Sequence, residues 1–251
     1  MCDTLIFMKN HATALYWSIV CAFALATLCS PFISSFLFTT LFQVLLILFA
    51  FLHGQRRCGI RGITVFFFLS VIISNIFEHL SLATGFPFGH YTYSDLGVPF
   101  IFYVPVSIGL MYFAVGYISW CVANTLLDQA DNALSKKINL IALPVVAAFV
   151  MTMWDIVMDP IYSTVGHAWI WTNGGSYFGV PISNFFGWFL TTFVFCFFFT
   201  LYIRKANVTV KKMKPQREYE TICMYVLVGL GSFLPIVGMH NRGIYDQSGF
   251  L

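Results

Sequence analysis

The sequence is short of charge. Asp, Glu, Lys and Arg supply only 9% of its 251 residues, against about 25% in an ordinary soluble domain. Ten acidic and thirteen basic side chains cannot clothe a water-soluble globule of this length. Soluble enzymes, disordered chains and nucleic-acid binders are thereby excluded. The seven cysteines are scattered without a C-x-x-C pair, which removes both a disulfide framework and a thiolate metal site. H-x-x-x-H, H-x-x-H-H and D-D-x-x-D are also missing, so the spacings of membrane di-iron enzymes and of magnesium–diphosphate sites are not met. All seven lysines lie in loops or the N-terminal tail, which rules out a retinal Schiff base within a span. What the chain does have is 59% hydrophobic residues, a mean hydropathy of +0.82 and 19% aromatics. That aromatic content exceeds what lipid contact and interfacial belts need.

Seven stretches are long and apolar enough to cross a bilayer, which takes about 20 residues each as helix. They cover 12–30, 36–53, 62–83, 99–127, 138–157, 181–203 and 219–239. The fourth is long enough to tilt or to project beyond the membrane. The first is longer than a signal-peptide core and is preceded by a single basic residue, Lys9, so it reads as a retained helix. Twelve of the thirteen basic residues fall on one side: Lys9, Arg56, Arg57, Arg61, Lys136, Lys137 and six between Arg204 and Arg217. Only Arg242 falls on the other. The positive-inside rule then puts the N-terminus in the cytoplasm and the C-terminus outside. The expected fold is an all-α, seven-transmembrane-helix bundle, a single multi-pass domain of the cell membrane over 1–251.

Two loops stand apart, Thr84–Pro99 and Asp159–Pro181. Both lack Lys and Arg, are rich in Gly, Pro and aromatics, and end in Gly-Val-Pro before the next helix. Glu78 lies 21 residues before Pro99 and Asp159 lies 22 before Pro181, a spacing that hints at a two-helix repeat. Glu78, Asp155 and Asp159 are the acids within or at the edges of apolar spans. An acid near the bilayer centre costs on the order of 3 kcal/mol and is a functional candidate by default. Asp155 and Asp159 share a helix face, and Pro160 disfavours helix at Asp159, which places that carboxyl at the helix mouth. All three acids fall on the extracytoplasmic side. Apolar surroundings favour a carboxyl's neutral form, which a general acid requires. His79, Tyr91, Tyr93, Asp95, Tyr177 and Asn184 are candidates for holding water or substrate. Trp169, Trp171 and Trp188 offer faces that stabilise a passing cation.

These residues carry a resemblance. Glu78 followed by Thr84-Gly85-Phe86-Pro87-Phe88-Gly89-His90-Tyr91-x-Tyr93 and Leu96-Gly97 is similar to the membrane-integral carotenoid biosynthesis proteins. So is Trp154-Asp155-x-x-x-Asp159-Pro160, with Trp169-x-Trp171, Gly175-x-Tyr177-Phe178-Gly179-Val180-Pro181 and Asn184-Phe185-x-Gly187-Trp188. The similarity covers about residues 70–200. It departs from the family's pattern at Gly97-Val98-Pro99-Phe100 and around Met111-Tyr112. The hydratases of bisanhydrobacterioruberin and gamma-carotene type belong to that family. The resemblance implies cofactor-free addition of water across a terminal isoprenoid double bond, on a polyene that enters from the bilayer. One carboxylic acid protonates the alkene and a carboxylate deprotonates the attacking water. Asp155 or Asp159 would be the donor and Glu78 the base, or the reverse. Two alternatives stay open: a terpenoid cyclase or isomerase using the same protonation, and a non-catalytic carotenoid or lipid binder.

Overall fold

The computed structural model describes residues 2–95, 97–206 and 208–241. Leu96, Arg242 and the rest of the C-terminus, on which part of the motif and of the charge count falls, lie outside the described residues. The chain is mostly helical, at 75%. The order is α1 (Cys2–Cys29), α2 (Ser35–Thr84), β1 (Tyr91–Tyr93), β2 (Phe100–Ile101), β3 (Val104–Pro105), α3 (Val106–Leu126), α4 (Asn139–Asp159), β4 (Trp169–Trp171), α5 (Ile182–Lys205) and α6 (Pro215–Asn241). Five helical segments among the described residues are long and apolar enough to span a membrane: Thr13–Phe32, Phe36–Thr84, Val106–Leu126, Asn139–Val165 and Ile182–Lys205.

The 50 residues of α2 would extend about 75 Å as one rod, far beyond a hydrocarbon core of about 30 Å. Gly59 breaks the rod by taking φ 75° and ψ 167°, a conformation glycine reaches without steric penalty. The two halves fold back on each other, with the rings of Phe51 and Phe67 5.4 Å apart. They correspond to the stretches 36–53 and 62–83 read from hydropathy.

The fourth apolar stretch is shorter as helix than expected. Its first residues form a hairpin in which Phe100 pairs with Pro105 and Ile101 with Val104. Helix α3 starts only at Val106, with Pro105 at its N-cap. Short strands therefore qualify the all-α expectation, and they sit where two connecting loops meet. The core of the bundle is aromatic. Phe66 is fully buried and is met edge-on by Tyr117, Trp120, Phe195 and Phe199, with centroids 4.9–6.4 Å away. Its neighbour Phe68 is exposed on the outer surface. The run Phe66-Phe67-Phe68 thus divides between packing and the lipid-facing side.

At the Gly59 end of the bundle the Arg57 guanidinium pairs with Asp131, both buried. Arg57 belongs to α2 rather than to a solvated loop, and its charge is answered inside the protein. Beside it His53 Nδ1 meets the Tyr117 hydroxyl at 2.7 Å. The Asp131 backbone N–H donates to Asn124 Oδ1 at 3.0 Å.

Candidate active site

The two aromatic loops pair with each other. Strand β1 runs antiparallel to β4 with Tyr91 opposite Trp171, Thr92 opposite Ile170 and Tyr93 opposite Trp169. Side chains alternate across a strand, so Tyr-Thr-Tyr and Trp-Ile-Trp each present two polar-tipped aromatics on one face. Thr92 and Ile170 take the opposite, exposed face. The four aromatics converge on the acids.

Glu78, on the last turns of α2, is 4% exposed. The Tyr91 hydroxyl donates to its Oε2, and the Tyr93 hydroxyl donates to the same oxygen at 2.8 Å. Burial, and then the neighbouring Glu78 charge, push both tyrosine hydroxyls well above their usual range. They stay protonated at any physiological pH. Asp159, at the end of α4, is 1% exposed. Its Oδ1 accepts from the indole N–H groups of Trp169 and Trp171, each at 3.2 Å. Its Oδ2 accepts from Asn184 Nδ2 at 2.6 Å. The same amide nitrogen donates to Asp155 Oδ2 at 2.9 Å. Asp155 is fully buried, and its Oδ1 has no partner among the described residues. Each strand of the ribbon therefore serves one acid: β1 with two hydroxyls, β4 with two indoles.

Asp159 keeps helical backbone angles despite the following proline, φ −58° and ψ −49°. The chain runs on as a π-helical turn over Pro160–Val165, and the Ser163 hydroxyl donates to the Asp159 carbonyl at 2.8 Å. The carboxyl is thus set inside the bundle rather than at a frayed mouth.

A cavity of about 470 Å³ opens between these groups, and Glu78, Asp159 and Asn184 line it together with Tyr91, Trp171 and Trp188. Tyr93, Trp169 and, at the exposed rim, Asp95 also line it, whereas Asp155 lies behind Asn184. Trp188 stacks on Tyr112, with centroids 4.2 Å apart and planes 14° from parallel. It meets Trp154 edge-on at 5.7 Å. Two candidates sit elsewhere. His79 is exposed, its ring bonds the Phe102 carbonyl at 3.0 Å, and it lines a second cavity behind the ribbon. Tyr177 packs its ring on Phe178 and Phe185. A histidine one position after Glu78 points to a different helix face, which explains the separation of His79 from the acid.

Tyr112, Trp154, Gln43, Ser107 and Ser232 belong to the site or its walls, and sequence reasoning gave them no role. The signal was there for Gln43: a polar side chain inside an apolar run obeys the same rule that singled out the acids.

The two Gly-Val-Pro segments do not play the same part. Pro105 caps α3 and Pro181 caps α5, and the residue before each, Val104 or Val180, is buried. Val104-Pro105 and Val180-Pro181 thus stand at helix starts, whereas Val98-Pro99 precedes the β2–β3 hairpin. Tyr112 and Trp188 occupy the same position in their helices, counted from these caps, and stack on each other.

The turn after β4 is tightly closed. A Cβ on Gly175 would stand 1.9 Å from the Val180 carbonyl carbon and 2.1 Å from Pro181 N, so the backbone itself would have to move. Gly175→Ala should destabilise the fold by about 3 kcal/mol and shift the start of α5 that carries Asn184. A lowered thermal midpoint in detergent is the expected reading, and an unchanged midpoint would contradict the close packing of this turn.

Comparison with known proteins gives a consistent picture. A family model described as "Carotenoid biosynthesis protein" matches residues 35–241. Bisanhydrobacterioruberin hydratase of Haloarcula japonica is 27% identical over 188 residues, which cover 74% of this chain and 57% of that protein. The chain thus spans little more than half the length of that relative. No solved structure matches.

Proposed function

The chain belongs to the carotenoid biosynthesis protein family, and on that premise we propose that it is a membrane enzyme that adds water across a terminal carbon–carbon double bond of a carotenoid or related isoprenoid. One observation carries the reading: two buried carboxyls with different hydrogen-bond partners face a single aromatic-lined cavity. The Asp159 carboxyl takes N–H donors from Trp169, Trp171 and Asn184, which cannot accept a proton in return, beside a Ser163 hydroxyl that donates to the backbone carbonyl, and this suits a carboxylate. Glu78 meets hydroxyls, each able to donate or accept, which suits a carboxyl that gains and loses a proton. Glu78 is then the proton donor and Asp159 the base, with Asn184 and Asp155 holding Asp159 in place.

The alkene π pair takes the proton from Glu78, forming a C–H bond and a tertiary cation beside Trp171 and Trp188, whose faces stabilise it. Water attacks the cation, and the resulting oxonium gives its proton to Asp159. The cycle closes when that proton returns to Glu78 through cavity water and the tyrosine hydroxyls. Alkene and water are consumed and an alcohol is made, with no change of oxidation state and no cofactor in the scheme.

The same reading takes the two halves of α2 and helix α6 as separate crossings, which makes seven. The count of Lys and Arg then places the ribbon and the acids on the extracytoplasmic side, where a polyene reaches the cavity from the bilayer.

Expression in a carotenoid-producing host tests the proposal. The expected product is a pigment heavier by the mass of one water. A product of unchanged mass with a new chromophore or ring would instead indicate cyclisation or isomerisation. Copurification of unaltered pigment alone would indicate a binder.

A further inference from the structure

A cation formed in this cavity has two exits. Captured by water, it becomes an alcohol; losing a proton from a neighbouring carbon, it becomes a shifted alkene of unchanged mass. For the first to prevail, water has to be held beside the cation in surroundings that are otherwise apolar. The wall built by the turn after α1, the first half of α2 and the start of α3 has the groups to do so. Ser30, Thr40, Gln43 and Ser107 all line the cavity. Thr40 and Gln43 are three apart and share one face of α2. Ser30 is 3% exposed, and its hydroxyl has no hydrogen-bond partner among the described residues. Nor do the side chains of Thr40, Gln43 and Ser107 form a hydrogen bond among the described residues.

The buried Ser30 hydroxyl is costly to leave unpaired, Gln43 and Ser107 are half-buried and Thr40 is exposed, and a water that bridges such groups removes the cost. The cavity, at about 470 Å³, has room for several waters beside a substrate end, each needing roughly 30 Å³. Lipid contact does not call for a glutamine eight residues into an apolar helix.

We infer that Ser30, Thr40, Gln43 and Ser107 form a water-holding wall that supplies the nucleophile and so decides between hydration and isomerisation. This rests on the protonation chemistry proposed above. The water oxygen lone pair forms the C–O bond, and its surplus proton leaves to Asp159. With the wall removed, the cation discharges by losing a carbon-bound proton to the same carboxylate.

The test is product partition in deuterated water, where every cation formed leaves deuterium on carbon in both products. A Thr40→Val, Gln43→Leu, Ser107→Ala variant should raise the ratio of deuterated isomer to alcohol roughly tenfold over the parent, a change of about 1.4 kcal/mol in relative barrier. Gln43→Leu alone should move the ratio in the same direction and serves if the triple variant is poorly folded. Thr40→Ser, which keeps the hydroxyl, should leave the ratio near the parent value. If alcohol and isomer fall together with a constant ratio, the wall has no part in water delivery and the inference is overturned. If the parent protein makes neither alcohol nor deuterated isomer, the protonation reading itself has failed.

Discussion

Turnover falls about a thousandfold or more in both Glu78→Gln and Asp159→Asn, the loss expected when a general acid or base is removed, but only Asp159→Asn also loses stability. The reason lies in the partners. An amide at 159 has one oxygen and one NH₂, and the groups bonded to the carboxyl are N–H donors, from Trp169, Trp171 and Asn184, with the nearby Ser163 hydroxyl already engaged by the Asp159 carbonyl. Whichever way the amide turns, one donor faces another, at a cost of about 1–3 kcal/mol for the unmet buried group. An amide at 78 meets the Tyr91 and Tyr93 hydroxyls, which rotate to accept as readily as they donate. Glu78→Gln therefore folds normally and has no proton to give. Measured together, product formation and thermal midpoint separate the two roles. Retention of activity by Glu78→Gln would remove it as the proton donor.

The second large effect lies at the other end of the bundle. Arg57→Met should cost about 3–5 kcal/mol, the penalty of leaving a buried carboxylate without its cation. Arg57 and Asp131 are 2% and 0% exposed in their side chains, so water cannot take over from the missing partner. Replacing both, as in Arg57→Met with Asp131→Leu, should recover most of that loss, since two apolar side chains do not carry the desolvation cost of the pair. Unfolding in detergent measures both. Turnover per folded molecule should be unaltered, because neither residue lines the cavity. A single variant as stable as the parent would mean that the pair is not essential to holding the Gly59 break against the turn that carries Asp131.

Much of this was legible beforehand. Low charge and long apolar runs give the membrane class without any tertiary information, because a chain this poor in charge has no other way to bury its surface. The three acids stand out because a carboxyl within an apolar helix has to be answered by something. Other features were hidden by the reach of local reasoning. Tyr-Thr-Tyr and Trp-Ile-Trp lie 78 positions apart, and each is too short to declare itself a strand. Their pairing depends on helices α2 and α4 each packing against α3 and α5. Arg57 looked like one more basic loop residue, since its partner Asp131 is 74 positions away.

Composition and the placement of polar residues in apolar runs determined that this is a helical membrane protein with acids gathered at one end. They could do so because burial of apolar surface and the cost of lipid-immersed charge are properties of residues taken a few at a time. Which donors each acid meets was decided by the tertiary structure alone. Two hydroxyls on Glu78 and three N–H groups on Asp159 arise from a cross-loop ribbon and a helix start that converge only in three dimensions, and hydrogen-bond chemistry depends on that convergence rather than on sequence spacing.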